Sequence, residues 1–268
     1  SAPKERRDLV LFQREPEHDP SLALKGDYGA FNELASHVKR ARDLFLIIGP
    51  PGTGKTSYGL LNTVKEELLE PKTNILLMAY TNRAIDEICG KLVAEGIDFI
   101  RIGTRLSCSP AYREYMLSAQ VRDCAKMEEL RQKLLSTRVF VGTTTALNAN
   151  LSLFQLKSFS LAVIDEASQI LEPHLIGLLS AHQEGVPAIR KFVLIGDHKQ
   201  LPAVVQQKPD VSRVQDALLN EILLTDCRLS LFERLLKKYR NNKNLTYLLT
   251  KQGRMHHDIA LFPNYTFY

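Results

Sequence analysis

Short apolar runs alternate along the chain with longer polar or amphipathic stretches. Leu44 to Ile48, Asn74 to Ala79, Phe99 to Ile102, Val139 to Gly142, Leu161 to Ile164 and Phe192 to Ile195 are rich in leucine, β-branched and aromatic side chains, and each leads into a helical or turn-rich segment. This pattern predicts buried strands of a parallel sheet flanked by helices, an α/β fold. Leu245 to Leu248 is a candidate seventh strand. Val121, Cys124, Met127, Leu130 and Leu134 instead recur at spacings of three and four among Arg, Glu, Lys and Gln, which predicts an amphipathic helix over Val121 to Leu135. The surrounding stretch, about residues 104–137, reads as a small helical insertion between two strands. Residues 206–226, with Lys208-Pro209-Asp210, read as a surface excursion with one short helix.

The 268 residues include 44% hydrophobic and 24% charged side chains, which excludes disordered, collagen-like and coiled-coil classes and leaves an ordinary globular protein. The longest apolar runs fall far short of the roughly 18 residues that span a bilayer, so no membrane partner is expected. Ser1 to Arg7 lacks the apolar stretch of a secretory signal, and the expected setting is intracellular and cytoplasmic. Cys89, Cys108, Cys124 and Cys227 have no zinc or redox spacing and read as ordinary thiols. His174, His182, His198 and the pair His256-His257 likewise lack metal-ligand spacing. A net charge of +5 permits a polyanionic partner without arguing for one. The basic groups Lys39-Arg40-Arg42 and Lys237-Lys238-Tyr239-Arg240 read as solvated helix faces.

The chemistry begins after the first strand. Gly49-Pro50-Pro51-Gly52-Thr53-Gly54-Lys55-Thr56 is a phosphate-loop pattern, preceded by a strand and followed by a helical stretch over Ser57 to Leu69. Glycines let successive backbone N–H groups turn onto an anion, Lys55 adds a point charge between β- and γ-phosphates, and the Thr56 hydroxyl suits Mg²⁺. Hydrolysis also needs acidic groups at a neighbouring strand end, and Leu161-Ala162-Val163-Ile164-Asp165-Glu166 supplies them. Asp165 is the candidate metal-holding acid and Glu166 the candidate base for the attacking water. Phe192 to Pro202 repeats the layout, with Gln200 in reach of a γ-phosphate.

In order, GPPGTGKT (Gly49 to Thr56), YTNRAIDEI (Tyr80 to Ile88), VGTTTAL (Val141 to Leu147), VIDEASQ (Val163 to Gln169), GDHKQLP (Gly196 to Pro202) and QGRMH (Gln252 to His256) resemble the motifs of superfamily 1 helicases. The nearest branch is that of the nonsense-mediated-decay helicase and its DNA- and RNA-unwinding relatives. The resemblance covers residues 29–268 and implies the first RecA-like, AAA-type P-loop motor domain of an ATP-dependent helicase. Residues 1–28 are then an N-terminal extension, and the second RecA-like domain is absent from this chain. The implied nucleotide contacts are Asn32, Gly49, Pro50, Pro51, Gly52, Thr53, Gly54, Lys55, Thr56 and Ser57, with ATP and Mg²⁺ as ligands and Thr56 and Asp165 on the metal.

Glu166, Gln200 and Arg254 are the implied catalytic residues. Thr81, Asn82, Thr143, Thr144 and Thr145 match segments that touch the backbone of single-stranded DNA or RNA, although each such polar cluster also reads as a helix cap. Asn32 stands where the family usually has an adenine-reading Gln, and Gly253 where it commonly has a large side chain. The isolated fragment is expected to be weak or inactive as a helicase.

Overall fold

The computed structural model describes residues 2–50, 52–122, 126–200, 203, 205 and 207–249. Each predicted run is a strand: β1 (Leu44–Ile48), β2 (Ile75–Ala79), β3 (Ile100–Ile102), β4 (Val139–Thr143), β5 (Phe159–Ile164), β6 (Ile189–Gly196) and β7 (Thr246–Leu248). They form one sheet in the order β3-β4-β2-β5-β6-β1-β7, and every neighbouring pair is parallel. Leu44, Leu46 and Ile48 of β1 enter one apolar cluster, whereas Phe45 and Ile47 enter the other. Burial on both faces is why these strands read as continuous apolar runs rather than alternating ones.

Helices α1 (Lys4–Val10), α2 (Asn32–Arg40), α3 (Leu61–Leu68), α4 (Asn82–Ala94), α5 (Met127–Ser136), α6 (Thr144–Asn148), α7 (Pro173–Leu179) and α8 (Leu231–Tyr239) cover the sheet. Leu34 and Val38 of α2, Leu61 and Val64 of α3, and Ile85 and Ile88 of α4 pack on one face. Leu175 and Leu178 of α7 and Phe232 and Leu235 of α8 pack on the other. Each fully buried Leu, Ile or Phe contributes about 1.5–3 kcal/mol by leaving water, so this double layer fixes the strand ends firmly. No helix among the described residues is long and apolar enough to cross a membrane. Cys89 and Cys108 are buried free thiols, Cys227 is an exposed one, and Cys124 lies outside the described residues.

Several local expectations change. The stretch between β3 and β4 holds 3-10 turns at Arg105–Ser107 and Pro110–Tyr115, a short helix at Leu117–Gln120, and only then α5. Its apolar stripe is anchored at one end: Met127 is 78% exposed and Leu134 only 7%. There the buried Lys157 ammonium donates to the carbonyls of Leu134 and Leu135 at 3.1 and 2.8 Å, a charged cap on the helix C-terminus. The excursion before Asp226 carries two short helices, Pro209–Ser212 and Ala217–Glu221, rather than one. Upstream of the first strand, α1 places Leu9 in the core, and Arg6 donates to the carbonyls of Ile189 and Arg190 at 2.7 and 2.8 Å. Of the two basic groups, Lys39 is buried in ion pairs with Glu66 and Glu70, whereas Lys237, Lys238 and Arg240 lie on the exposed side of α8 and its end.

Candidate active site and nucleic-acid face

A parallel sheet brings its chemistry to the carboxyl ends of its strands. β1, β5 and β6 are neighbours near one side of the sheet, so the phosphate loop, the Asp165-Glu166 turn and the Asp197-to-Gln200 turn converge. The Gly49 amide donates to the Gly196 carbonyl at 2.9 Å, stitching the first loop to the third. A Cβ on Gly49 would sit 2.1 Å from the Lys55 side chain, which folds back over it. Gly54 has φ +74°, a left-handed conformation that glycine adopts without strain and that starts the helix. The first turn, Lys55–Leu60, is π-helical before α3 continues, which the apolar periodicity does not reveal. Thr53 is buried and donates its hydroxyl to the Pro50 carbonyl at 2.8 Å, so it braces the loop itself.

The cleft between these loops has a volume of about 360 Å³ and is lined by Gly52, Gly54, Lys55, Thr56, Ser57, Tyr58, Glu87, Asp165, Glu166 and Gln200. The Thr56 hydroxyl donates to Asp165 Oδ2 at 2.7 Å, and the Glu166 amide donates to Asp165 Oδ1 at 2.9 Å. Asp165 is 3% exposed, and burial pushes its carboxyl up despite those donors and the nearby Lys55. Burial also raises Glu166, and the Asp165 charge adds to the effect. Lys55 is pushed down by burial, opposed by Asp197, Asp165 and Glu166. All three shifts record charges held away from water, a characteristic of sites completed by a ligand. A buried carboxylate beside a hydroxyl is a hard oxygen donor set that fits Mg²⁺.

Gln200 donates its amide to Asp197 Oδ2 at 2.7 Å, and the Asp197 amide donates to the Ser168 hydroxyl at 3.2 Å. Ser168, one turn after the acidic pair, therefore links the second loop to the third. Lys91 of α4 donates to the Ser57 hydroxyl at 2.9 Å and lies 3.8 Å from Glu87. Sequence reasoning missed Ser168, Lys91, Glu87 and Tyr58. The first lies inside VIDEASQ, Lys91 three residues beyond YTNRAIDEI, and Glu87 within it, but nothing in their spacing distinguishes them from helix-surface polar residues.

Two further loops leave β2 and β4, which pair with Ala79 opposite Thr143. Thr81 caps α4, its hydroxyl accepting from the Ala84 amide at 3.1 Å, and Thr143 caps α6, accepting from the Ala146 amide at 3.1 Å. Asn82 and Thr145 are exposed beside them. Thr144 corrects the sequence reading: it is 0% exposed, and its hydroxyl is buried without a hydrogen-bond partner, so it faces the interior rather than a bound strand. Asn32 is hydrogen-bonded locally. Its carbonyl oxygen accepts from the Tyr28 amide at 2.7 Å and its amide donates to Asp27 at 2.8 Å, so both ends are engaged locally. Pro51 and Arg254 lie outside the described residues.

A profile of the AAA domain family matches residues 30–137 and 123–208, more than half of the chain. The human DNA replication ATP-dependent helicase/nuclease DNA2 is 31% identical over 280 residues, covering 97% of this chain. The Arabidopsis thaliana helicase/nuclease JHS1 is 41% identical over 170 residues, covering 63% of it. The chain belongs to the AAA domain family, as the first motor domain of a superfamily 1 helicase. This motor domain spans 24% of the human relative's length and 12% of the Arabidopsis one's. Among solved structures, the UvsW helicase from bacteriophage T4 is similar at 14% identity with a TM-score of 0.45, covering 75% of this chain and 62% of that one.

Proposed function

We propose that this motor domain binds Mg·ATP in the cleft between β1, β5 and β6, hydrolyses the β–γ phosphoanhydride, and holds single-stranded nucleic acid across the loops after β2 and β4. The observation that carries the reading is the hydrogen bond from Thr56 to Asp165 at 2.7 Å, which joins the phosphate loop to the acidic pair beside Lys55. Thr56 and Asp165 would hold the metal; when bound, magnesium neutralises charge on the β- and γ-phosphate oxygens. Lys55 sets its ammonium against the same oxygens. Glu166, its carboxyl raised by burial and by Asp165, takes the proton of the attacking water as the new O–P bond forms. The bond from γ-phosphorus to the bridging oxygen breaks, and ADP leaves with the electron pair. Gln200 exchanges Asp197 for the γ-phosphate, and Ser168 passes that change to the loop bearing Glu166. Arg254 adds charge neutralisation from QGRMH.

The nucleic-acid contacts are assigned to Thr81, Asn82, Thr143 and Thr145. They are backbone contacts and carry no sequence information. The names of the relatives favour DNA as the polymer, and the motif strings favour the branch of the nonsense-mediated-decay helicase as the wider group. A second RecA-like domain of the full protein closes on ATP and reopens after hydrolysis, stepping along the strand. Strand displacement and single-strand-stimulated hydrolysis by the full-length protein test the proposal. Stimulated hydrolysis without displacement would favour a nucleotide-gated clamp, and robust stimulated turnover by residues 1–268 alone would overturn the two-domain mechanism.

A further inference from the structure

The nucleotide cleft has a second component beside its phosphate end. Phe31, the residue before Asn32, stacks on Tyr58 with ring centroids 4.2 Å apart and planes 10° from parallel. Phe31 packs against the core that lies under α2 and α3. Tyr58 belongs to the π-helical turn that follows the phosphate loop, lines the cleft, and is 42% exposed. The ring lies over Gly54: a Cβ there would be 2.4 Å from its Cδ2, so the glycine leaves the space that the tyrosine occupies. A large aromatic surface, stacked on Phe31, thus stands at the mouth of an anion site. Meanwhile both ends of the Asn32 amide are engaged by Tyr28 and Asp27.

We propose that Tyr58, backed by Phe31, is the nucleobase platform of this site, and that the base is held by stacking rather than read by an amide. The inference rests on the phosphate-loop reading above and assigns the part of the nucleotide that reading leaves open. Every base has a π-face, so a stacking platform favours large purines over pyrimidines and separates adenine from guanine poorly.

The test measures magnesium-dependent binding of ATP, GTP, CTP and inorganic tripolyphosphate by calorimetry on the full-length protein, with Tyr58→Phe, Tyr58→Leu, Tyr58→Ala and Asn32→Ala variants. Tyr58→Ala is expected to weaken ATP and GTP about tenfold while leaving tripolyphosphate unchanged, because only the base contact is lost. Tyr58→Leu, which keeps bulk on Phe31 and Gly54, should lose most of the same increment, and Tyr58→Phe should retain it. ATP and GTP should differ by less than about tenfold, with or without Asn32. A Tyr58→Ala variant that binds ATP as wild type does, or that loses ATP and tripolyphosphate equally, overturns the platform while leaving the phosphate loop standing. A strict preference for ATP that disappears in Asn32→Ala overturns it in favour of amide readout. Failure of the wild-type protein to bind tripolyphosphate or any nucleotide refutes the phosphate-loop reading first.

Discussion

The nucleotide cleft and the threonine-bearing loops sit at the same edge of one sheet, yet their polar groups stand in opposite conditions. In the cleft, Lys55, Asp165 and Glu166 are held from water with shifted acidities, and the Asp165 and Glu166 charges oppose each other. After β2 and β4, Thr81 and Thr143 already satisfy the first turns of their helices. The first region is electrostatically incomplete until a ligand arrives, whereas the capping hydroxyls of the second, Thr81 and Thr143, already have a partner. The cap does not exclude a ligand. A hydroxyl that accepts from an amide keeps its own O–H to donate, so Thr81 and Thr143 can cap a helix and face a phosphate oxygen at once. The cap and contact readings are therefore compatible.

The sharpest way to break this contrast is Lys55→Ala, which leaves the acidic pair without its internal cation. Mg·ATP affinity is expected to fall about 100-fold or more, the scale of losing charge-assisted hydrogen bonds, and unchanged affinity by calorimetry would remove the contrast altogether. Next comes Glu166→Gln in the full-length protein, which keeps the shape and deletes the base. Nucleotide and strand should still bind, with turnover slower by about 100-fold, and near-normal single-turnover rates would move the base elsewhere.

The threonine loops are probed by Thr143→Ala and Thr143→Ser. Alanine should lower stability by about 1 kcal/mol in denaturant titrations, the usual value of a lost N-cap, and weaken single-strand binding evenly across sequences. Serine should restore both, and a loss confined to some sequences would indicate base readout. The smallest effect is expected from Glu166→Gln in the ligand-free protein. A carboxyl raised on folding destabilises the fold as pH climbs through its folded value, so the variant should melt about 1–3 °C higher at neutral pH. The difference should close on acidification, when the native carboxyl is protonated.

The sheet was readable because a strand buried on both faces must be apolar at every position, and six such runs plus β7 correspond to the seven strands of the parallel sheet. Their order was not readable, since parallel neighbours such as β1 and β6 are separated by more than 140 positions. The insertion failed differently: Met127 and Leu134 share a helical stripe, but only the second is covered, because periodicity says which side is apolar and not whether anything lies above it. Within the site, the residues that line the cleft stood in recognisable strings, except Ser57 and Tyr58, which follow the phosphate-loop string. Thr144 was misjudged because position in a string does not specify where a short side chain turns, and the local partners of Asn32 are set only on folding. Tyr58 and Ser168 act through a ring stack and a cross-loop hydrogen bond, contacts made only after folding.

Glu166 stands at φ +52°, in the left-handed region where a residue with a Cβ is disfavoured by roughly 1–2 kcal/mol. Glycine there would relax the backbone and remove a carboxylate that burial and Asp165 already disfavour. Under selection for heat resistance alone, variants of this domain should drift toward glycine at position 166 and lose the proposed proton acceptor in the same step. A population screened by survival at high temperature would therefore accumulate sturdier and catalytically silent molecules, and a screen for sturdier motors has to score hydrolysis in every round.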